Sequence, residues 1–382
     1  MLRAIADNRL NILLVVVPVC WAMRVAAPDS PWIFITAAVS LIPLAGLIGL
    51  GTETLAERSG PAWGGFLNAT FGNAAELIIA IVALNRGHVS LVKASVSGSI
   101  IGNLLLVLGL SFFVGGLGRT SQKFHRTSAT NAAAMLFLAV VALVMPAVVE
   151  LTLFGSLVPR PRMIDRLSLF SALILMAAYV GSVVYGFTAH RDLFRSGHEG
   201  EPPDTTVSTG VALALLAIGT MLTTVQAEVL VGAIEPALAR FGFTELFAGV
   251  IVVALIGNAA EHYSAVAAAH RDHMTLAVEI AVGSSAQIAL LVGPVLVLYS
   301  WIIGHPMSLV LHPLEIAAVT VSVLATSMVV VDGESNWVEG LQLLAVYLIL
   351  VLAFYFMPGD GSRERSDPAA EVRPHAIMIF HG

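Results

Sequence analysis

The pentapeptide Gly72-Asn73-Ala74-Ala75-Glu76 lies inside an apolar run over residues 64–84, and it occurs again as Gly257-Asn258-Ala259-Ala260-Glu261 inside a run over residues 246–269. Each copy places a carboxylate in the middle of a segment long enough to cross a bilayer. A charged side chain at that depth costs about 2.5–3.5 kcal/mol on insertion scales. Two glutamates in matching contexts therefore indicate a functional site that the rest of the chain brings together.

The composition around these two copies is that of a membrane protein. The chain has 382 residues, of which 57% are hydrophobic and 12% are charged, whereas a soluble protein carries roughly 25% charged residues. No basic cluster is dense enough to indicate binding to nucleic acid. The single cysteine, Cys20, excludes an intramolecular disulfide. The sequence thus predicts that a lipid bilayer surrounds most of the chain.

Apolar windows of spanning length predict an all-α polytopic membrane protein with about 11 transmembrane helices in a 1+5+5 order. Because equivalent helices of the two repeats are about five spans apart, an odd number, the repeats are predicted to have inverted topology, which is typical of secondary transporters. Arg and Lys are spread almost evenly over alternate loops, so charge does not set the absolute orientation. The predicted parts are an N-terminal transmembrane helix (1–30), a first five-helix repeat (31–188), a central hydrophilic loop (189–206), a second five-helix repeat (207–357) and a polar C-terminal tail (358–382).

The chemistry of each pentapeptide suits a hard cation. Its Asn and Glu are three residues apart and share a helix face, and its Gly can loosen the helix and free backbone carbonyls. Carboxylate, amide and carbonyl oxygens are the ligands that Ca²⁺ takes, whereas the lack of thiolates argues against a soft metal. The candidate cation and proton ligands are Gly72, Asn73, Glu76, Gly257, Asn258 and Glu261.

The helix after each pentapeptide adds polar residues that are predicted to complete the coordination shell. Gly98 and Gly102 form a small-xxx-small surface there, which serves close approach to the glutamate helices or, as an equally good alternative, helix packing alone. The polar residues at this position are Ser99, Asn103, Ser284 and Gln287.

Two carboxylates that meet in a low-dielectric site cannot both stay ionised without a partner. A divalent cation satisfies both charges, and protons satisfy them instead. Because the cation and the protons cannot be bound at the same time, binding of one releases the other, which is the physical basis of antiport. The structural alternative is a buried glutamate that stays protonated and only donates a hydrogen bond, and the matching second copy makes this alternative less favourable.

Five strings of the sequence resemble the Ca²⁺/cation–proton antiporter (CAX) family of the cation/Ca²⁺ exchanger superfamily, and the resemblance extends over about 30–357. It implies an eleven-helix fold with a separable first helix and export of Ca²⁺ against inward proton flow. Glu76 and Glu261 match the family's glutamates that bind the cation alternately with protons, and Asn73, Asn258, Ser99, Ser284 and Gln287 match other positions that line its site. The strings cover residues 72–84, 97–109, 257–269, 283–294 and 332–340.

Two departures from the family pattern stand out. Many members have Ser where this chain has Gly102, which removes one oxygen from the first copy. Many also carry a strongly acidic central loop, which is only weakly acidic here.

Three further residues are candidates for a proton path or gate. His262 follows Glu261, and an interhelical histidine with satisfied hydrogen bonds is an equally good interpretation. Glu53 and Glu228 lie near span ends, where a solvated interfacial carboxylate is the slightly better alternative.

The sequence therefore predicts a secondary antiporter, not an enzyme, that exchanges Ca²⁺ for H⁺ by alternating access in a prokaryotic plasma (inner) membrane. No cofactor is expected besides the transported Ca²⁺ and H⁺, and association into a homo-oligomer is left open. The alternatives are H⁺-coupled exchange of Mn²⁺, Na⁺ or K⁺ through the same site and, less favoured, a cation channel. A membrane-embedded enzyme would need a nucleophile–base pair or catalytic metal set at membrane depth, which is absent from the sequence. An ATP-driven pump would need a nucleotide motif such as GxxxxGK[ST], which is also absent.

Overall fold

The chain folds almost entirely into helices. The computed structural model describes residues 9–59, 64, 67–68, 70–154, 161–189 and 207–358. Most of the predicted central loop and tail, residues 190–206 and 359–382, therefore lies outside the described residues. The helices are α1 (Val16–Ala26), α2 (Trp32–Arg58), α3 (Ala74–Asn85), α4 (Val89–Gly116), α5 (Arg126–Phe154), α6 (Pro161–Ala189), α7 (Thr209–Gly232), α8 (Ile234–Phe241), α9 (Glu245–Gly257), α10 (Ala259–His270), α11 (Met274–Ile302), α12 (Pro313–Val329) and α13 (Trp337–Tyr355), and two short strands, β1 (Gln122–Lys123) and β2 (Glu334–Ser335), pair antiparallel.

Seven helices in the described part of the chain are long and apolar enough to cross a membrane, and up to eight if the bent pair α8–α9 forms one span. Shorter apolar helices add Leu10–Ala26, α3 and α12. The predicted class, an all-α membrane protein, is thereby confirmed, whereas the number eleven stays a prediction. The shortfall has a physical reason in α3, because the chain turns at Asn73 and leaves only 12 residues in the helix.

The outer surface of the bundle is apolar, as lipid requires. Phe137 and Phe170 on the middle helices are 58% and 61% exposed, and Met328 and Leu348 near the C-terminal end are 78% and 60% exposed. In water such a surface would be an aggregation hazard. In a bilayer it meets acyl chains at no cost.

The bundle has two ends, which we name for use below. Since α4 runs from residue 89 to residue 116 and β1 follows it, β1 and the start of α4 lie at opposite ends. The sheet face is the end that carries residues 117–125 and 330–336. The distal face is the end that carries residues 86–88 and 303–312.

Polar contacts fix the connecting loops to these faces. On the sheet face, Gln122 Nε2 donates to the Ala269 carbonyl at 3.2 Å and to the Asp272 carboxylate. On the distal face, Lys93 Nζ donates to Ser308 Oγ and to the Val310 carbonyl, both at 2.9 Å. Each set of contacts joins the first half of the sequence to the second half.

The helices that carry the repeated pentapeptides are irregular in their middle. The backbone turns at Asn73 (φ −104°, ψ 28°) before α3 and at Asn258 (φ −94°, ψ 7°) between α9 and α10. Irregular backbone at membrane depth is tolerated only where it is buried in protein or lines a cavity. Wider π-helical turns interrupt α4 at Gly102–Val107, α9 at Ala248–Val253, and α11 at Glu279–Gly283 and Ile288–Val292.

The glycines of the small-xxx-small surface have different surroundings. A Cβ on Gly98 would overlap the carbonyl and Cα of Val250, so α4 and α9 can meet at this distance only through a glycine. A Cβ on Gly102 would have nothing within 4 Å, and the same holds for Gly283, which the sequence aligns with Gly98. The packing interpretation therefore fits Gly98 and does not extend to Gly102.

Candidate functional site

The two repeated glutamates lie near each other in the interior. Glu76 is in the first turn of α3 and Glu261 is in the first turn of α10, each just after the turn at its Asn. A Cβ on Gly257 would lie 3.3 Å from Glu76 Cγ, so the two pentapeptides are in contact. The two carboxylates are also within electrostatic reach of each other. The fold thus brings together the pair that the sequence singled out.

The asparagines connect each pentapeptide to the other half of the chain. Asn73 Nδ2 donates to Gln287 Oε1 at 2.7 Å. In the second copy, Asn258 Nδ2 donates to Ser99 Oγ at 2.8 Å. The pentapeptide of one copy is therefore bonded to the helix that follows the pentapeptide of the other copy.

Asn103 joins these two pairs into one network. Its Nδ2 donates to Asn258 Oδ1 at 3.2 Å and to Ser284 Oγ at 2.9 Å. Ser284 in turn is hydrogen-bonded to Glu261. The predicted polar ligands lie in or beside this network, with Gly72 next to Asn73 and Gly257 against Glu76.

Three buried oxygens of this network have no hydrogen-bond partner among the described residues. They are Asn73 Oδ1, Asn103 Oδ1 and Glu261 Oε2. Amide oxygens only accept hydrogen bonds, as does an ionised carboxylate, and leaving such a group unsatisfied costs about 1–3 kcal/mol. A cation bound among these oxygens would satisfy all three.

The donor set is compatible with Ca²⁺ and with other oxygen-seeking cations. In the part of the chain that the structure describes, no cluster of three or more His, Cys, Asp or Glu side chains could hold a metal. Two carboxylates would have to be supplemented by amide and hydroxyl oxygens, a mixed oxygen shell of the kind Ca²⁺ accepts.

Glu76 also borders a narrow cavity that extends from the network towards the distal face. The space free of atoms, including the part open to solvent, measures about 320 Å³. Ser95 and Ser99 form its polar wall on α4. The remaining lining is apolar and comes from α3, α9 and α11: Ile79, Ala80, Val96, Val253, Ala254, Gly257, Ile288 and Val292.

The three residues predicted as a proton path or gate lie at different distances from the site. His262 lies beside the site, and its buried Nε2 has no partner among the described residues. Glu228 lies away from the network near the distal end of α7, where Arg86 Nε donates to it at 2.9 Å. Glu53 is an exposed residue of α2 nearer the sheet face. Only His262 is therefore next to the glutamate pair.

The sequence analysis missed two carboxylates that accept hydrogen bonds from serines, of which Glu279 is half-buried and Glu315 is buried. Glu279 in α11 accepts a hydrogen bond from Ser128 Oγ at 3.2 Å. Glu315 in α12 is 2% exposed and accepts from Ser97 Oγ at 2.6 Å. Both lie in apolar windows, so the rule that singled out Glu76, that an ionisable residue at membrane depth is functional until shown otherwise, would have found them.

Comparison with known proteins agrees with this architecture. The chain matches the family model described as sodium/calcium exchanger protein over residues 29–188 and 211–356. The chain belongs to this family. It is 41% identical over 363 residues to the Ca(2+)/H(+) antiporter of Synechocystis sp., covering 91% of this chain and 97% of the relative.

Two further comparisons extend the likeness to a eukaryote and to a solved structure. The vacuolar calcium ion transporter of Schizosaccharomyces pombe is 36% identical over 350 residues, covering 91% of this chain and 85% of the relative. The structure of native YfkE superposes with a TM-score of 0.78 at 37% identity, covering 91% of this chain and 100% of that one. These relatives confirm the predicted CAX membership, and those whose names state an activity are transporters.

Proposed function

We propose that the protein is a secondary antiporter that exchanges Ca²⁺ for H⁺, with Glu76 and Glu261 binding Ca²⁺ and protons in turn. The observation that carries the proposal is the approach of these two half-buried carboxylates to each other, beside amide and carboxylate oxygens that have no hydrogen-bond partner in the described chain. The name of the cyanobacterial relative, a Ca(2+)/H(+) antiporter, supports the choice of the two loads.

The roles of the surrounding residues follow from their contacts. Ca²⁺ neutralises both glutamates and takes additional oxygens from Asn73 and Asn103, whose carbonyl oxygens lack other partners in the described chain. When the cation leaves, two carboxylates remain in a low-dielectric interior, and protons must replace it because both cannot stay ionised there. Binding of one load therefore expels the other.

Alternating access is supported by the way the halves of the chain are joined. The bonds Asn73–Gln287 and Asn258–Ser99 both cross between the first and second halves at the site. A relative movement of the halves would exchange these bonds and open the site towards one face at a time. The proposed domains are those of the sequence: a separate helix within 1–30 and inverted repeats at 31–188 and 207–357.

The proposed location is a prokaryotic plasma membrane, as for an ion exporter of a cell without organelles. The relatives occur in a cyanobacterium and, under the name of a vacuolar transporter, in a yeast. The loads are the same in either membrane, and no cofactor takes part in the exchange.

The test is Ca²⁺ uptake into everted vesicles under an imposed proton gradient, comparing wild type with Glu76→Gln and Glu261→Gln. Glu235→Gln is the matched control, because Glu235 is an exposed carboxylate of α8. We expect uptake that a protonophore abolishes, that both Gln variants of the site lose and that the control keeps. Normal uptake in either site variant would refute the two-glutamate mechanism. Proton-coupled movement of Mn²⁺, Na⁺ or K⁺ without Ca²⁺ would refute the substrate.

A further inference from the structure

Two hydroxyl–carboxylate pairs lie outside the central network, one towards each face. Ser97 of α4 donates to Glu315 of α12 at 2.6 Å on the distal side. Ser128 of α5 donates to Glu279 of α11 at 3.2 Å on the sheet side. Each pair joins a helix that follows one of the pentapeptides to the next long helix of the other half. The charged groups around the two pairs differ.

The distal pair is enclosed and lies near a cation. Glu315 is 2% exposed, and its second oxygen accepts from the His312 backbone N–H at 2.8 Å. Lys93 lies within electrostatic reach, and its ammonium group is held by Ser308 and Val310. The ammonium group of Lys93 is also influenced by Asp165 and Glu150. With both oxygens bonded, Glu315 has the character of a structural group.

The sheet-side pair is less enclosed. Glu279 forms no salt bridge within the described residues and is only partly buried. The helices packed against its turn are α4, α5 and α10, and α5 begins at Arg126, two residues before Ser128. A carboxylate without a salt-bridge partner in the described chain attracts a cation when it is ionised.

Glu279 is also in line with the central site. Because the turn Glu279–Gly283 is π-helical, Glu279 and Gly283 lie on nearly the same face of α11. Gln287, four residues further along the helix, lies on that face too. Gln287 accepts from Asn73 in the central network. At about 1.5 Å of rise per residue, the eight steps from Glu279 to Gln287 span about 12 Å.

The space beside this line is open. Gly283 is partly exposed, and a Cβ on it would have nothing within 4 Å. Its counterpart Gly98, on the distal half, is blocked by Val250. Gly283 therefore leaves free space between Glu279 and Gln287 on α11.

We propose that Glu279 is the residue that captures Ca²⁺ entering from the sheet face, before the ion passes Gly283 to the central glutamates. Its carboxylate and the Ser128 hydroxyl are hard oxygen donors that a partly hydrated Ca²⁺ accepts. An ionised carboxylate without a salt-bridge partner concentrates its counter-ion. This assignment rests on the proposed function, because it concerns how the transported ion reaches the site.

The first test compares the Ca²⁺ concentration for half-maximal exchange at each face, in vesicles of both orientations. With Glu279→Gln we expect this concentration to rise about tenfold on the sheet face, the lower end of the enrichment that a charged cleft gives. The maximal rate and the value on the distal face should stay within about twofold of wild type, and Glu279→Asp should recover most of the loss. An unchanged value on the sheet face, or an equal change on both faces, overturns the proposal.

The second test does not depend on transport. In a background without Cys20, the single cysteine, Gly283→Cys is labelled with a membrane-impermeant thiol reagent, and His125→Cys marks the sheet face because His125 is exposed there. We expect the reagent to label both cysteines from the same side of the membrane. Ca²⁺ should slow the labelling at position 283, and it should do so only in protein that retains Glu279. Labelling from the opposite side, or Ca²⁺ protection that survives Glu279→Gln, overturns the proposal.

The two failures are distinguishable. If wild type exchanges Ca²⁺ for H⁺ but Ca²⁺ never protects position 283, the capture role is wrong and the proposed function stands. If Ca²⁺ protects position 283 through Glu279 but no Ca²⁺ is exchanged, the capture role stands and the proposed function is wrong.

Discussion

The substitution Gly98→Ala tests whether close packing of α4 on α9 holds the two halves of the site together. A Cβ at position 98 would fall inside the contact distance of the Val250 carbonyl oxygen and Cα, both of which are backbone atoms in a helix. Neither can move aside as a flexible side chain could. The two helices must therefore separate, and with them Ser99 must move from Asn258, to which it is bonded at 2.8 Å.

The expected size follows from overpacking. Extra methyl groups in a packed core cost about 1–3 kcal/mol, and we place this case at the upper end because the obstacle is backbone. A loss of about 3 kcal/mol corresponds to a drop of about 4 °C in the midpoint of thermal unfolding for a chain of this size. Tryptophan fluorescence of the detergent-purified protein measures this midpoint, compared at one scan rate because membrane proteins often unfold irreversibly.

Gly283→Ala is the matched control. The same substitution at the corresponding position of the second copy adds a methyl group that meets nothing within 4 Å, so we expect a midpoint within about 1 °C of wild type. If the two alanine variants are equally stable, α4 and α9 do not pack as described. If Gly283→Ala is the less stable one, the space beside Gly283 is not free as described.

Three other substitutions test the site and its supports. Gly102→Ser adds the hydroxyl that many family members have at this position, and the space there is free. We therefore expect unchanged stability and tighter Ca²⁺ binding, measured by competition between Ca²⁺ and Mn²⁺ for uptake. Weaker binding would contradict this. Glu315→Gln removes one of the three carboxylates, with Asp165 and Glu150, that act on the ammonium group of Lys93. It should cost about 1–3 kcal/mol of unfolding free energy, partly recovered when Lys93→Met is added. Additive losses would show that the two residues do not interact. Gly257→Ala places a methyl group 3.3 Å from Glu76 Cγ and should weaken Ca²⁺ binding about tenfold. Exchange should still depend on protons, because the carboxylate is displaced rather than removed. Wild-type affinity would mean that the contact is dispensable.

The residues of the central site were largely predictable from the sequence, whereas their hydrogen-bond partners were not. The repeated pentapeptide was enough to predict that Glu76 and Glu261 lie close together, since a charge at membrane depth must find a compensating environment. That Asn73 bonds to Gln287, and Asn258 to Ser99, depends on how helices from the two halves cross. No spacing within either half contains that information.

Two other features show where a sequence pattern is ambiguous. Gly98 and Gly102 form a single small-xxx-small pattern, yet Gly98 faces the backbone of Val250 and Gly102 faces free space. The π-helical turns of α4, α9 and α11 have no reliable signature, because they depend on how neighbouring helices pack. Glu279 was missed for another reason: it is a single carboxylate in a long apolar window, with no matching copy to draw attention to it.

The most direct test of the central claim is the number of protons released when Ca²⁺ binds. Calorimetric titration of the purified protein with Ca²⁺, repeated in buffers of different ionisation enthalpy, measures that number. The two-glutamate mechanism predicts proton release on Ca²⁺ binding in wild type, and loss of both the binding and the release in Glu76→Gln and Glu261→Gln. Binding of Ca²⁺ without any proton release, or wild-type affinity in either variant, would contradict it.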